Sequence, residues 1–195
     1  SNLVGVGLYN NSLSPHSLTS SEFMGDFSRK NAETNRTSIR STDPIIAVVK
    51  KNSSILKNVI SWLSEWGEKQ SDGKILIRNV PLLLIDDEAD NASINVSKER
   101  VSSINGCIRA LLSLFEQSAY VGYTATPFAN VFIPMLKEES IKGLDITIRD
   151  YEFKIGQDLF PKDFIINIPA PSNYIGPSRI FGLPTLSSAE IKEEP

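Results

Sequence analysis

The sequence predicts an α/β fold, with a mainly parallel sheet sandwiched by helices. Three observations predict it: continuous apolar runs typical of buried strands, amphipathic segments of helical period between them, and turn residues at the junctions. Ligands of such sheets bind beyond the carboxyl ends of the strands. The residues that follow each run are therefore the first candidates for function. The apolar runs are residues 3–8, 44–49, 74–77, 82–85 and 119–123.

Two segments of helical period connect these strands. Asn52 or Ser53 can cap the first helix, and Gly67 lies just beyond its end. The second helix is expected to run for about five turns. Helical spacing favours core packing for Trp62, and Cys107 is interpreted as a small buried hydrophobe. The two apolar faces are Ile55, Leu56, Val59, Ile60, Leu63 and Trp66, then Val101, Ile104, Cys107, Ile108, Leu111, Leu112 and Phe115.

One domain is expected over residues 1–195, because that length suffices for one sizeable core. Residues 10–43 are rich in Ser, Thr, Asn and Arg, which predicts a polar loop or insertion with a short helix near residues 22–27. Residues 183–195 are expected to form a tail.

The composition excludes several classes of function. With one cysteine and one histidine, the chain cannot form a disulfide framework or a Cys/His zinc cluster by itself. The net charge of −3 means that any contact with nucleic acid is local, since proteins that bind it over a whole surface are usually basic. No apolar run approaches the roughly 20 residues that span a membrane. We expect a cytoplasmic protein with no membrane partner.

The most informative run is Asp86-Asp87-Glu88-Ala89-Asp90, which directly follows an apolar strand. Magnesium takes one or two carboxylates together with waters and phosphate oxygens. Asp87 is well placed to hold such an ion, and Glu88 to activate a water for attack on a phosphate. The alternative is a helix N-terminus in which the helix dipole stabilises the acids and Asp90 is a cap.

A second motif follows the next strand, at Thr124-Ala125-Thr126-Pro127. Two hydroxyls that flank a small residue can form hydrogen bonds with the acidic site and sense its occupancy. The alternative is a strand-ending turn in which Thr126 caps a helix that starts near Pro127. The order and spacing of the two motifs favour a functional pair.

With both motifs in this order, the sequence resembles the superfamily-two helicase and translocase ATPases. Residues 87–90, Asp-Glu-Ala-Asp, match their second motif, and residues 124–127 match their third. The sequence around the two motifs is similar to the Z-one domain family of bacterial proteins named as endonucleases. The similarity is highest over residues 44–182. The segments that carry this second resemblance are residues 83–95, 120–130, 158–165 and 173–176.

The resemblance implies a partial RecA-like motor lobe, the ATPase core of large proteins in restriction-like or phage-defence systems. By match of position, Asp87 would be the magnesium-linked acid and Glu88 the catalytic base. Asp90, Thr124 and Thr126 would couple hydrolysis to movement. Asp86 departs from the helicase pattern and is an alternative metal ligand. The endonuclease label of the family rests on the neighbouring genes in the genome rather than on these residues.

The phosphate-binding loop that should accompany these motifs is absent. No Gly-x-x-x-x-Gly-Lys-Ser/Thr stretch occurs in the sequence. In the family this loop precedes the acidic motif, so we expect the chain to be part of a larger protein, with the loop upstream and a second motor lobe elsewhere. ATP and Mg²⁺ are the cofactors expected for that protein, and DNA is the expected nucleic acid. The isolated chain is expected to be inactive and to bind neither cofactor tightly.

Two other functions stay open on the sequence. A non-catalytic scaffold that binds DNA or protein would keep the fold without the phosphate loop. A standalone metal nuclease would use the acidic run differently, but no Glu stands two positions before Lys50 or Lys51, as a restriction-type site needs. These two lysines follow a predicted strand and are candidates for contact with a nucleic-acid backbone.

Overall fold

A computed structural model describes residues 16–19, 26–34, 37–41, 44–91, 103–126, 145–156, 158–169, 173, 175, 176 and 180. The chain divides into two compact units, Ser1–Pro161 and Lys162–Pro195. The elements below all belong to the first unit. No helix within the described ranges is long and apolar enough to cross a membrane.

The first unit alternates short strands with three helices in its described part. In chain order the elements are β1 (His16–Ser17), α1 (Arg29–Thr34), β2 (Ile45–Ile46), α2 (Ser53–Ser64), β3 (Glu68–Lys69), β4 (Ile75–Leu76), β5 (Leu82–Asp87), α3 (Ser103–Leu114), β6 (Ser118–Tyr123), β7 (Asp145–Ile148) and β8 (Tyr151–Lys154).

The α/β class is confirmed, but the mainly parallel sheet is not what the described residues form. They form four two-stranded sheets, of which β1–β2 and β5–β6 are parallel and β3–β4 and β7–β8 are antiparallel. The antiparallel pairs follow from tight turns. Gly73 has a φ of 84° between β3 and β4, and Arg149 has a φ of 54° between β7 and β8.

The parallel pair β5–β6 is joined by α3 and is the part that positions the candidate site. Leu82, Leu84 and Asp86 share one face of β5, and the two leucines pack against the core. Leu83 and Ile85 point to the other face and are each 61% exposed. The expectation that helices cover both faces is therefore wrong for this strand: within the described residues, its apolar cover lies on one side only.

The predicted strand at residues 44–49 is shorter and more exposed than expected. Within the described part of the chain, only Ile45–Ile46 pair with β1, and Val48 is 73% exposed. Beyond the ladder, the Thr19 hydroxyl oxygen accepts the Val48 N–H at 2.8 Å, in place of a strand carbonyl.

Both long helices form where the sequence predicted them. The Asn52 side chain caps α2 by accepting the Ser54 N–H at 2.8 Å, and Trp62 is buried in contact with Phe27. The structure gives α3 twelve residues rather than five turns; residues 101 and 102 lie outside the described ranges. Cys107 is buried, and this burial raises the pKa of its thiol, as suits a core residue.

Residues 10–43 contribute to the core, contrary to the prediction of a polar loop. Phe27, Ala32 and Ile39 are buried in the same cluster as α2 and α3. The helix in this segment is α1, which begins at Arg29; Asp26 and Phe27 are not helical, and residues 20–25 lie outside the described ranges. The strand predicted at residues 3–8 and the tail at 183–195 also lie outside them.

Candidate functional site

The two predicted motifs meet at the carboxyl ends of β5 and β6. The strands pair in parallel with Asp87 opposite Tyr123, so the residues that follow each strand emerge side by side. After β5 the chain makes a four-residue turn at residues 88–91, here called the acidic turn. The Ala89 N–H donates to the Tyr123 carbonyl oxygen at 2.9 Å and holds this turn against the end of β6.

Asp90 joins the acidic turn to the threonine pair. The Thr124 hydroxyl donates to one carboxylate oxygen at 2.7 Å, and the Thr126 hydroxyl donates to the other. The Thr124 oxygen in turn accepts the Thr126 N–H at 3.0 Å. The Asp90 pKa is lowered mainly by the Thr126 hydrogen bond and next by that of Thr124, because both favour the charged carboxylate. One carboxylate thus accepts both hydroxyls of the predicted pair.

We expect Thr126→Val to raise the Asp90 pKa towards the ordinary value of an aspartate, with Thr124→Val raising it less. The folded-state pKa of Asp90 lies below the unfolded value, so its contribution to stability is present at neutral pH. That contribution is lost as the pH falls through the unfolded and then the folded pKa. Titration of the Asp90 carboxyl carbon by NMR measures this directly. An unchanged titration in Thr126→Val would show that the hydroxyl does not hold the carboxylate.

The acidic turn places Glu88 in an unusual backbone conformation. Glu88 has a φ of 52°, in the left-handed region that non-glycine residues seldom adopt, and its carbonyl oxygen accepts the Asn91 N–H at 2.8 Å. The side chains of Asp87 and Glu88 are both exposed. Strain at a residue with a reactive side chain is a common feature of functional sites.

Asp86 is placed differently from the other acids. It is only 5% exposed, on the core face of β5, where one carboxylate oxygen pairs with the Lys51 ammonium at 2.8 Å and the other accepts the Tyr120 hydroxyl at 2.9 Å. Burial and the adjacent negative charge raise the Tyr120 pKa, which keeps the phenol a proton donor. The Asp86 carboxylate is therefore engaged by Lys51 and Tyr120 in the interior. These surroundings do not support the alternative in which Asp86 binds metal.

No group of three or more His, Cys, Asp and Glu side chains comes together in the part of the chain that the structure describes. A magnesium ion that is carried largely by phosphate and water needs only one or two carboxylates. Asp87 fits that requirement, because it is exposed at a strand end and, among the described residues, only its Oδ1 is engaged, by the Glu88 N–H at 3.1 Å.

The two candidate lysines have different surroundings. Lys50 is exposed, as a residue that contacts a nucleic-acid backbone would be. Lys51 instead directs its ammonium at Asp86 and at the carbonyl oxygens of Glu88 and Asn91. No pattern in the sequence predicts this long-range contact. The burial of Asp86 could have been predicted, because side chains alternate along a strand and Asp86 falls on the same face of β5 as Leu82 and Leu84.

Comparison with known proteins identifies no relative: no protein-family model, no curated protein and no solved structure matches the chain.

Proposed function

We propose that the acidic turn and the threonine pair are the hydrolysis and coupling elements of an ATP-dependent motor that acts on nucleic acid. The observation that carries this proposal is the shared carboxylate of Asp90, which accepts both Thr124 and Thr126 hydroxyls. These bonds connect the acidic turn to the threonine pair. The helicase and translocase ATPases combine the same two motifs. A change at either motif is thereby transmitted to the other.

Each residue has a role in this proposal. Asp87 would hold a magnesium ion, which supplies positive charge to the phosphates when it is bound. Glu88 orients a water and accepts its proton. Asp90, Thr124 and Thr126 relay the state of the site into β6. Lys50, which is exposed, remains a proposed contact with the nucleic-acid backbone.

The finer identity of the motor belongs to the same proposal. A partial RecA-like lobe would be completed by a phosphate loop and a second lobe outside this sequence, in a restriction-like or phage-defence protein of the Z-one type that acts on DNA. The 195 residues contain no phosphate loop, so we propose that they alone neither hydrolyse ATP nor bind ATP and magnesium tightly.

We expect Glu88→Gln to lower kcat for ATP hydrolysis about 100-fold or more, with KM nearly unchanged, because the amide keeps the shape but cannot accept the proton. The measurement is steady-state phosphate release by the protein encoded by the complete gene, with nucleic acid present. Glu152→Gln, the same change at an exposed position of β8, is the matched control. Full turnover by the Glu88→Gln protein would refute the role of Glu88.

A non-catalytic scaffold is the second candidate. It is favoured by the missing phosphate loop together with the exposed apolar side chains of Leu83 and Ile85 on β5, which suit a protein partner better than a solvated surface. Absence of ATP hydrolysis by the complete protein, with nucleic acid present, would favour this candidate over the motor.

A further inference from the structure

Lys51 makes a set of contacts that no predicted role accounts for. Its ammonium has three N–H donors, and it contacts Asp86 Oδ1 at 2.8 Å, the Glu88 carbonyl oxygen at 2.6 Å and the Asn91 carbonyl oxygen at 3.1 Å. The side chain is 24% exposed, so these contacts are partly shielded from water. The two carbonyls belong to the first and last residues of the acidic turn.

The acidic turn needs such support. Glu88 has a φ of 52°, in the left-handed region, and such a conformation persists only where the surrounding structure holds it. Within the turn, the Asn91 N–H donates to the Glu88 carbonyl oxygen, the same oxygen that Lys51 contacts. Lys51 thus binds the strained residue itself and the residue that closes the turn. It also ties both to Asp86, which is fixed in β5.

We propose that Lys51 is a positioning residue: its ammonium clamps the acidic turn and thereby sets where Glu88 and Asp90 present their carboxylates. The clamp on the acidic turn follows from the contacts alone. Its effect on catalysis rests on the proposed function.

The chemistry of the three acceptors explains why a lysine serves here. A buried carboxylate needs a positive partner, and two backbone carbonyls that point to one spot need donors. A methionine has similar length but supplies neither charge nor donor. An arginine supplies both, although its planar group has a different donor geometry.

Hydrogen exchange in the 195-residue chain tests the clamp without reference to any activity. We expect Lys51→Met to speed exchange of the Ala89 and Asn91 amides at least tenfold, and Lys51→Arg to speed it less. Tyr120→Phe is the matched control, since it removes the bond from the Tyr120 hydroxyl to Asp86 but leaves both carbonyl contacts of Lys51; it should leave these two amides unchanged. If Lys51→Met does not fold, Lys51→Gln carries the same expectation, because it loses charge and reach.

Hydrolysis by the protein encoded by the complete gene tests the consequence for catalysis. Misplacing a catalytic group by about 1 Å costs on the order of 100-fold in rate. We therefore expect Lys51→Met to lower kcat between about 10-fold and 100-fold with KM changed less than threefold, and Lys51→Arg to recover part of the loss. Lys69→Met, at an exposed position of β3, removes the same charge elsewhere and should leave kcat unchanged.

The outcomes separate this inference from the proposed function. Unchanged exchange of the Ala89 and Asn91 amides in folded Lys51→Met would overturn the clamp. Faster exchange with unchanged kcat would overturn the positioning role while the motor stands. If the wild-type protein does not hydrolyse ATP, the proposed function fails, and faster exchange in Lys51→Met still supports the clamp.

Discussion

Replacing Arg109 by alanine should lower the free energy of unfolding by about 3–5 kcal/mol, the usual cost of breaking a buried ion pair. Arg109 lies on α3 and is 3% exposed. Its guanidinium donates to the Ile155 carbonyl oxygen at 3.0 Å, to the Gly156 carbonyl oxygen, and to Asn105 Oδ1 at 3.3 Å. Asp158 Oδ1 lies 4.0 Å from Nη1. Burial lowers the Arg109 pKa and the Asp158 charge opposes this.

The Arg109→Ala substitution removes the donor to the carbonyl oxygens of Ile155 and Gly156 and to Asn105 Oδ1. The Asp158 carboxylate keeps the Asn105 amide at 2.6 Å and the Leu159 N–H at 2.8 Å, but loses its positive partner. Unsatisfied buried carbonyls add to the cost. Chemical denaturation of the 195-residue chain, followed by circular dichroism, measures the change.

Arg78→Ala is the matched control for Arg109→Ala. The Arg78 side chain is 44% exposed, and its nitrogens lie 3.7 Å from Glu68 and 3.4 Å from Glu116. Solvent screens such pairs, so this change should cost less than about 1 kcal/mol. Equal losses from the two substitutions would mean that the Arg109 network does not hold Ile155, Gly156 and Asp158 against α3.

The β5–α3–β6 segment could be predicted from the sequence because its signals are local. Apolar runs, helical period and the polar residues after each strand all lie within one stretch of chain. The contact of Asp90 with Thr124 and Thr126 follows from the same reasoning, since neighbouring parallel strands bring their carboxyl ends together.

Long-range polar pairing could not be predicted. Arg109 and Asn105 are four residues apart on α3 and both are buried, but their partners lie about 50 positions later in the chain. An apolar helix face with a buried arginine looks like an ordinary amphipathic helix until the partner is known. Lys51 is a similar case, because its role depends on carbonyl oxygens of residues 88 and 91, which no side-chain pattern reveals.

The exposed face of β5 differs from the prediction for another reason. A continuous apolar run indicates that both faces of a strand suit burial, but it does not say that cover is present. Leu83 and Ile85 are as apolar as Leu82 and Leu84, yet only the second pair packs against the described core. Sequence reasoning therefore identified the strand correctly and its surroundings incorrectly.

Replacing Gly122 by alanine should move the acidic turn away from β6 and lower the free energy of unfolding by about 1–3 kcal/mol, as overpacking usually does. A Cβ at residue 122 would stand 2.8 Å from the Ala89 Cβ, a distance that real Cβ atoms essentially never show. Ala89 is fully buried and its N–H is bonded to Tyr123, so it has no free direction in which to yield. Alanine gains about 0.5–1 kcal/mol over glycine through lower chain entropy, which is too little to offset the clash.

The added methyl should also change the titration of Asp90. If the turn moves, the hydroxyls of Thr124 and Thr126 lose their aim at the carboxylate, and the Asp90 pKa rises towards its ordinary value. Denaturation and NMR titration of the same sample therefore report one displacement in two ways. A stable Gly122→Ala protein with an unchanged Asp90 titration would contradict the packing of Ala89 over Gly122.

The double variant Gly122→Ala/Ala89→Gly separates this clash from other effects. It moves one methyl group from residue 89 to residue 122, so the contact at 2.8 Å disappears while the volume between turn and strand is kept. We expect it to be more stable than the sum of the two single changes by at least about 1 kcal/mol, because residues in direct contact are energetically coupled. The low Asp90 pKa should return with it. Additive losses would place the cost of Gly122→Ala within β6 itself rather than in the acidic turn that the glycine accommodates.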